Sequence, residues 1–518
     1  MKPIRLMRGF LTVGFWTLMS RVLGFVREIL ILNYIGPGPL LDAFVAAFRL
    51  PNMFRRFFAE GAFNAAFVPM FSKKLEGEEN AEHFASDALS LLFAAVMTLT
   101  ALGMIFMPAL VWITAEGFAG DERFDLTVGF GRIVFPYIFF MSLSALFSGV
   151  LNATGRFAAA AAAPVLLNIL IIPALVVGHL SGGPAITWLI WTIPVAGVAQ
   201  LALVWLATRR AGLRIRLSLP KWTPDMARMV RVAVPAALAS GVMQINLVVG
   251  QIVASDTTGA VSWLYAADRL YQLPLGVIGI AIGIVLLPDL SRRLKADDGA
   301  GAQNAFSRAS EFAMFLTIPC AVAFLIVPLP IVSVLYERGA TGSDDIAAIS
   351  IALAIYAIGL PAFVLQKLIQ PLYFAREDTK RPFRFAVLAM AVNAALAFGL
   401  APYIQWLAPA VAASVAAWIM VAQLGIGARG YGAVAKFDTR LRKRLWRICI
   451  ASAAMGGALW GTWVILVPWF GLPGWRYVAL VILLTLGTVV YFGVGRLIGA
   501  YSPGELKAAA RRGSVDTN

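Results

Sequence analysis

Eight basic side chains stand inside stretches that are otherwise apolar: Arg21, Arg27, Arg49, Arg55, Arg56, Arg132, Arg269 and Lys367. Their acidic companions are fewer: Glu28, Asp42, Glu60 and Asp268. A charge near the middle of a bilayer costs about 2.5–3.5 kcal/mol on insertion scales, so such residues pair with one another or line a water-filled cavity. Pairing alone would make them locks between helices. A net positive cavity would instead take an anionic ligand, and arginine suits phosphate because its guanidinium stays charged and offers a planar fork of donors. At about 100° per residue, Asp42, Arg49, Arg56 and Glu60 fall within roughly 40° on one helix face, with Arg56 and Glu60 in i,i+4 register. Pro51 lies among them and predicts a kink. Arg21, Gly24 and Glu28 share a stripe, while Arg27 points about 120° away from Arg21, and Asp268 adjoins Arg269.

The elements that position these charges must lie in a membrane. Of 518 residues 60% are apolar and only 14% charged, with 43 bases against 27 acids and a net charge of +16; the mean hydropathy is +0.81. A soluble chain needs about a quarter charged residues. Cys320 and Cys449 lie in apolar runs and His83 and His179 stand alone, which excludes a disulfide framework and a Cys/His metal site. Asp297-Asp298 and Asp344-Asp345, the pairs that would hold magnesium in a membrane phosphotransferase, fall on loops assigned to opposite faces and read as solvated turns. No cofactor and no enzyme chemistry are expected.

Stretches of about 20 mainly apolar residues fit near 10–34, 41–72, 86–114, 128–152, 158–180, 185–208, 228–254, 259–290, 311–335, 347–373, 383–403, 407–428, 444–468 and 475–500. The chain is thus predicted to be an all-α polytopic membrane protein of about fourteen spans. The second and eighth exceed a bilayer's thickness and should extend into water, tilt or break. The run from Phe10 to Met19 imitates a secretory signal, but Arg21 and Arg27 interrupt it and no small-x-small site follows, so it is the first span. Thirty-two bases fall at one set of span ends and three, Arg123, Arg338 and Arg476, at the other. That asymmetry places both termini in the cytoplasm and accounts for most of the positive charge without nucleic acid.

The chain reads as built twice. Arg49-Leu50 recurs as Arg269-Leu270, and Pro69-x-x-Ser72-Lys73-Lys74-Leu75 as Pro288-x-x-Ser291-Arg292-Arg293-Leu294. Six spans per unit make the repeat parallel, giving two pseudo-symmetric six-helix lobes with a pathway between them. The expected division is 1–208 for the first lobe, 209–227 for a surface-lying linker and 228–428 for the second lobe. A basic loop at 429–443, two extra helices at 444–500 and a cytoplasmic tail at 501–518 follow. Thr223-Pro224-Asp225 reads as cap, first turn and acidic N-terminus of the seventh span.

Ser20-Arg-Val-Leu-Gly-Phe-Val-Arg27, Asp42-Ala-Phe, Arg49-Leu-Pro-Asn52, Arg55-Arg-Phe-Phe-Ala-Glu60-Gly-Ala-Phe, Phe67-Val-Pro69, Ser262-Trp to Asp268-Arg-Leu270, Tyr336-Glu-Arg-Gly339 and Tyr373-Phe-Ala-Arg-Glu-Asp-Thr-Lys380 together resemble the MurJ/MviN family. Its members are lipid II flippases in the superfamily that also holds the multidrug MATE exporters. The resemblance implies a bacterial inner-membrane protein with a central cationic cavity and a lipid-tail groove on the final helix pair. It also implies the cargo, undecaprenyl-diphosphate bearing the disaccharide-pentapeptide precursor of peptidoglycan, and leaves cell-wall synthesis machinery as a further partner. The family's functional positions carry onto Arg21, Arg27, Asp42, Arg55, Arg56, Glu60 and Arg269, with Glu28, Arg49, Asp268 and Lys367 secondary. Arg21, Arg27 and Arg269 would contact the anion, Arg55, Arg56 and Glu60 would shape the entrance, and Asp42 would hold an arginine when cargo is absent. Some relatives carry an acid in the seventh span for sodium. The run from Gln244 to Gln251 has none, which speaks against sodium coupling; the membrane potential is expected to help drive export, and the coupling ion stays open. The rival readings are a flippase for another polyprenyl-diphosphate oligosaccharide, a multidrug exporter, and an enzyme acting on polyprenyl carriers.

Overall fold

The computed structural model describes residues 3–55, 63–77, 79–472, 474–502 and 504, with side chains from residue 12 onward except 63–65, 236–243, 245 and 277–285. Among the described residues all regular structure is helical: eighteen α-helices and a few short 3-10 turns, with no strand. Nine helical stretches among them are long and apolar enough to cross a bilayer, and the chain is a multi-pass all-α membrane protein.

The chain forms two compact units. The first runs to Ser262 and takes in Arg338–Gly342. It holds α1 (Pro3–Tyr34), α2 (Pro39–Arg55), α3 (Phe63–Glu76), α4 (Ala81–Ile105), α5 (Met107–Thr114), α6 (Glu122–Val134), α7 (Tyr137–Ala153), α8 (Phe157–Leu180), α9 (Ala185–Arg210) and α10 (Pro224–Ser255). The second comprises Trp263–Glu337 and the chain from Ser343 on. It holds most of α11 (Ala260–Lys295), then α12 (Gly299–Ile326), α13 (Pro328–Tyr336), α14 (Ser343–Phe374), α15 (Lys380–Ile404), α16 (Ala408–Ala428), α17 (Thr439–Phe470) and α18 (Trp475–Leu497).

Every expected span has a helical counterpart, but the third, fourth and ninth are each two helices. They part at Phe106 ahead of Pro108, at Phe135-Pro136 and at Val327 ahead of Pro328. Proline has no N–H to donate and disfavours the helical conformation of the residue before it. The first two breaks interlock. A Cβ on Gly103 would lie 2.1 Å from the Phe135 ring, and one on Gly131 would lie 2.6 Å from the Met107 sulfur. A helix end leaves carbonyls without partners, and Arg132 Nε donates to Met104 O at 3.3 Å. That bond explains an intramembrane arginine for which charge accounting found no companion. The second span runs helically through Pro51 to Arg55 and is helical again from Phe63.

Ahead of α10, Thr223 caps the helix, accepting from Met226 N at 3.3 Å, and Pro224 sits in the first turn. The linker's extended backbone donates from Arg216 and Ser218 to the hydroxyls of Ser86 and Ser90 on α4, at 3.1 and 2.9 Å. The compact units, however, do not part at 209–227. Helix α10 packs on α2, α3 and α5, and Lys74 at the end of α3 pairs with Asp225 at 3.0 Å. The boundary therefore falls after Ser262, because a helix joins whichever elements bury its side face rather than its neighbours in a sequence repeat. The repeat survives in the pairing pattern: α9 packs against α7 and α8 in the first unit, as α16 packs against α14 and α15 in the second.

Segment 338–342, part of the Tyr336-Glu-Arg-Gly339 motif and its continuation, caps the end of α1. Ala340 N donates to Asn33 O at 2.9 Å and Thr341 Oγ1 to Leu32 O at 2.7 Å, satisfying last-turn carbonyls that no intrahelical donor reaches. Gly339 has φ 57°, and a Cβ there would meet Asn33 O at 2.2 Å, so only glycine fits. In the second unit α17 begins at Thr439, inside the expected basic loop, because Asp438 accepts from Leu441 N at 2.7 Å as its cap. Below that cap the buried Glu311 of α12 accepts from Arg308, Arg440 and Arg444, while Asp438 also holds Arg308. This cluster, with Tyr491 Oη donating to Phe315 O at 2.6 Å, fixes α17 and α18 to α12. The two aspartate pairs are likewise used structurally: Asp298 caps α12 through Gly301 N at 2.7 Å, and Asp345 accepts from Trp263 Nε1 at 2.7 Å.

Candidate functional site

In the first unit, α1 and α8 pack together around Arg27. Arg27 Nη1 donates to Asn168 Oδ1 at 2.9 Å, and the same guanidinium pairs with the neighbouring Glu28, which is buried. Asn168 Nδ2 donates to Ser20 O at 3.1 Å, so the amide is held at both ends and presents its oxygen to Arg27. Gly24 faces it: a Cβ there would sit in ordinary contact with Asn168 at 3.7 Å. Arg27 keeps 15% of its side chain exposed, and Arg21, two turns earlier on α1, is exposed. A guanidinium oriented by a neutral amide and a carboxylate, yet not fully covered by protein, suits an incoming anion whose oxygens can replace those acceptors. Asn168 escaped the sequence reading, although it is the single asparagine in the apolar run of α8.

Asp42 lies elsewhere in the unit and is fully buried. Its carboxylate accepts from Gly259 N at 2.6 Å, from Ser262 N at 2.9 Å and from Ser262 Oγ at 2.6 Å. Arg123 Nη1 stands 3.7 Å away. Arg123 is itself buried, stacks over Phe118 at 4.5 Å and is gripped by Asp121 at 2.6–2.8 Å. Burial raises the Asp121 carboxyl's pKa, but the side-chain and backbone hydrogen bonds from Arg123 and its charge outweigh that and hold it below its ordinary value. The turn carrying Phe118 docks on the end of α10: Gly117 N donates to Ser255 Oγ at 2.9 Å, and a Cβ on Gly117 would strike Asp256 at 2.4 Å. Gln251 Nε2 donates to Thr114 O at 3.0 Å beside it. Asp42 thus does hold an arginine, but the partner is Arg123, a residue of the connection assigned to the outer face.

Arg49 Nη1 donates to Leu247 O on α10 at 3.0 Å, and Arg55 ends the described part of α2, half-buried. Arg56 and Glu60 lie outside the described residues. In the second unit Arg269 stacks over Tyr265 at 4.6 Å, its neighbour Asp268 accepts from Gln272, and Lys367 is exposed on α14. The structure therefore brings Arg27 together with Glu28, sets Asp42 apart with Arg123, and places Asp268, Arg269 and Lys367 in the other unit.

A family model described as lipid II flippase MurJ matches residues 31–485. A protein of Rhizobium tropici named probable lipid II flippase MurJ is 44% identical over 524 residues, covering 98% of this chain and 97% of its own length. The lipid II flippase MurJ of Burkholderia cenocepacia is 35% identical over 75% of this chain and 77% of its own. Among solved structures, the inward closed conformation of lipid II flippase MurJ superposes with a TM-score of 0.79 at 24% identity, covering 94% of this chain and 98% of that one. An inward-facing multidrug resistance MATE transporter of the MOP superfamily superposes at 0.68 and 14% identity, over 81% and 96%. The fold is shared with both, and by sequence along nearly its whole length the chain belongs to the family of the lipid II flippase MurJ.

Proposed function

We propose that this protein carries lipid II from the cytoplasmic to the periplasmic leaflet of a bacterial inner membrane by alternating access, leaving the cargo chemically unchanged. The observation that carries the reading is Arg27, an intramembrane arginine held by Asn168 and Glu28 with part of its side chain open, in a chain whose relatives are named lipid II flippases. Arg27 and Arg21 bind the diphosphate, Arg55 and Arg56 with Glu60 shape its entry, and Glu28 and Arg49 tune the charge around it. The polyprenyl tail stays in lipid. The excess of bases at one set of span ends supports cytoplasmic termini. Outward movement of an anion in a cell negative inside is favoured by about 2.3 kcal/mol per charge per 100 mV, so the potential drives export and the return of the positive cavity without a bound ion.

The test is lipid II exposure at the outer face of cells depleted of their own flippase, read with an impermeant enzyme that cleaves it. Arg27→Ala abolishes exposure at normal membrane abundance, and Asn168→Ala, which frees the guanidinium from its positioning amide, lowers it partially. Wild-type exposure with Arg27→Ala removes the arginine from the mechanism.

A further inference from the structure

Helix α17 opens on five bases, Arg440, Arg442, Lys443, Arg444 and Arg447, and the structure divides them. Arg440 and Arg444 turn to Glu311, and Arg447 Nη1 donates to Gly499 O at 3.0 Å. Arg442 and Lys443 remain exposed and form no ion pair among the described residues. At about 100° per residue Arg442, Trp446, Cys449, Ala453, Gly457 and Trp460 fall within roughly 80° on one stripe. Trp446 and Trp460 are 53% and 58% exposed at its two ends. The far part of the stripe opens into a wholly apolar groove of about 410 Å³, lined by Leu325 and Ile326 of α12 and by Gly456, Gly457 and Trp460 of α17.

We propose that this stripe and groove hold one anionic phospholipid, with its phosphate against Arg442 and Lys443, Trp446 at the glycerol level, and one acyl chain along Cys449 into the groove. The dimensions agree. Arg442 and Gly457 are fifteen residues apart, about 22 Å along a helix, which is the depth of one leaflet including head groups. Basic residues at the mouth of a membrane helix attract anionic head groups, and tryptophan belongs at that interface. The small residues make the space: a Cβ on Gly456 would lie 2.9 Å from Val322, so the two helices touch there, whereas one on Gly457 would meet nothing within 4 Å. The Glu311 cluster pins the head of α17 to α12 and so fixes the groove's width. A polyprenyl diphosphate carries a similar head-group charge and a much longer tail than the groove's length along α17, and it is the competitor in the test below. The site lies within the second unit and is independent of the translocation reading.

Native mass spectrometry of the full-length protein in mild detergent tests it, after incubation with phosphatidylglycerol, phosphatidylcholine or undecaprenyl diphosphate. One phosphatidylglycerol stays bound per chain and phosphatidylcholine does not. The double variant Arg442→Glu with Lys443→Glu lowers the bound fraction about tenfold or more. Gly457→Leu, whose Cβ meets nothing within 4 Å and whose side chain occupies the groove, lowers it comparably, and both variants keep the wild-type melting temperature. Equal retention of phosphatidylcholine, undiminished retention in both variants, or one-for-one displacement by undecaprenyl diphosphate each overturns the proposal.

Discussion

Replacing Asp42 separates an anchor from a free ligand group. The carboxylate receives three hydrogen bonds, from Gly259 N, Ser262 N and Ser262 Oγ, with Arg123 at 3.7 Å. Asparagine keeps one oxygen for Ser262, but its amide would face the Gly259 N–H donor to donor, and the charge is lost. Removing one partner of a buried ion pair costs about 3–5 kcal/mol when the other is left bare. Arg123 is not left bare, because Asp121 holds it at 2.6–2.8 Å, so Asp42→Asn should cost about 2–3 kcal/mol. For a domain of this size that lowers the melting temperature by roughly 5–10 °C. Asp42→Ala orphans all three donors at about 1–3 kcal/mol each and costs more, while Ser262→Ala removes one bond and costs about 1 kcal/mol. Thermal unfolding of the detergent-solubilised protein without cargo should rank Asp42→Ala below Asp42→Asn below Ser262→Ala below wild type. An Asp42→Asn protein melting within a degree of wild type would refute the anchor and return Asp42 to the ligand site.

Glu311→Ala should destabilise the second unit by about 3–5 kcal/mol, because Arg444 loses a buried acceptor while the half-exposed Arg440 contributes little; hydrogen exchange over 439–447 should rise selectively, and unchanged protection there would count against the cluster. Asp378, in the turn between α14 and α15, is held below its ordinary value by the Arg381 backbone N–H and, against some desolvation, by the Tyr431 hydroxyl and the Arg381 charge. Its stabilisation is complete above the ordinary carboxylate value near 4 and is lost as pH falls through the depressed one. Exchange protection of 376–381 should therefore drop on acidification below about pH 4, and Asp378→Asn should remove that acid dependence.

The spans were legible because a run of apolar residues as long as a bilayer is thick has few alternatives, and the cap Thr223-Pro224-Asp225 formed because its signal is local. The breaks at Phe106, Phe135 and Val327 were not. A proline in an apolar run is absorbed in one setting, as Pro51 is within α2, and ends a helix in another, as Pro108 and Pro136 do where Gly103 and Gly131 let the broken ends nest. Arg27 and Glu28 were legible as adjacent charges in lipid. Asn168 was not, since its partner is 141 residues away. Arg123 looked like a topology marker, and only folding brings it beside Asp42. The helical-face argument grouped Asp42 with Arg49 correctly by angle, but the partners of Asp42 are backbone groups 217 and 220 residues later, which no face pattern encodes.

The two kinds of buried charge differ in what can replace their partners. Asp42 and the capping segment 338–342 satisfy backbone groups at helix ends, and in a bilayer such groups have no water to fall back on. A ligand that took those contacts would leave main-chain donors or acceptors bare, so they persist unless the helix ends themselves move. Arg27 is held by side-chain groups, the amide oxygen of Asn168 and the carboxylate of Glu28. A phosphate oxygen can take the place of either while Asn168 keeps its bond to Ser20 O, and the charge-assisted contact to phosphate is at least as strong as the one it displaces. On the proposed function the arginines on α1 would be the groups that exchange partners with the diphosphate, while Asp42 and the α1 cap hold the frame around them.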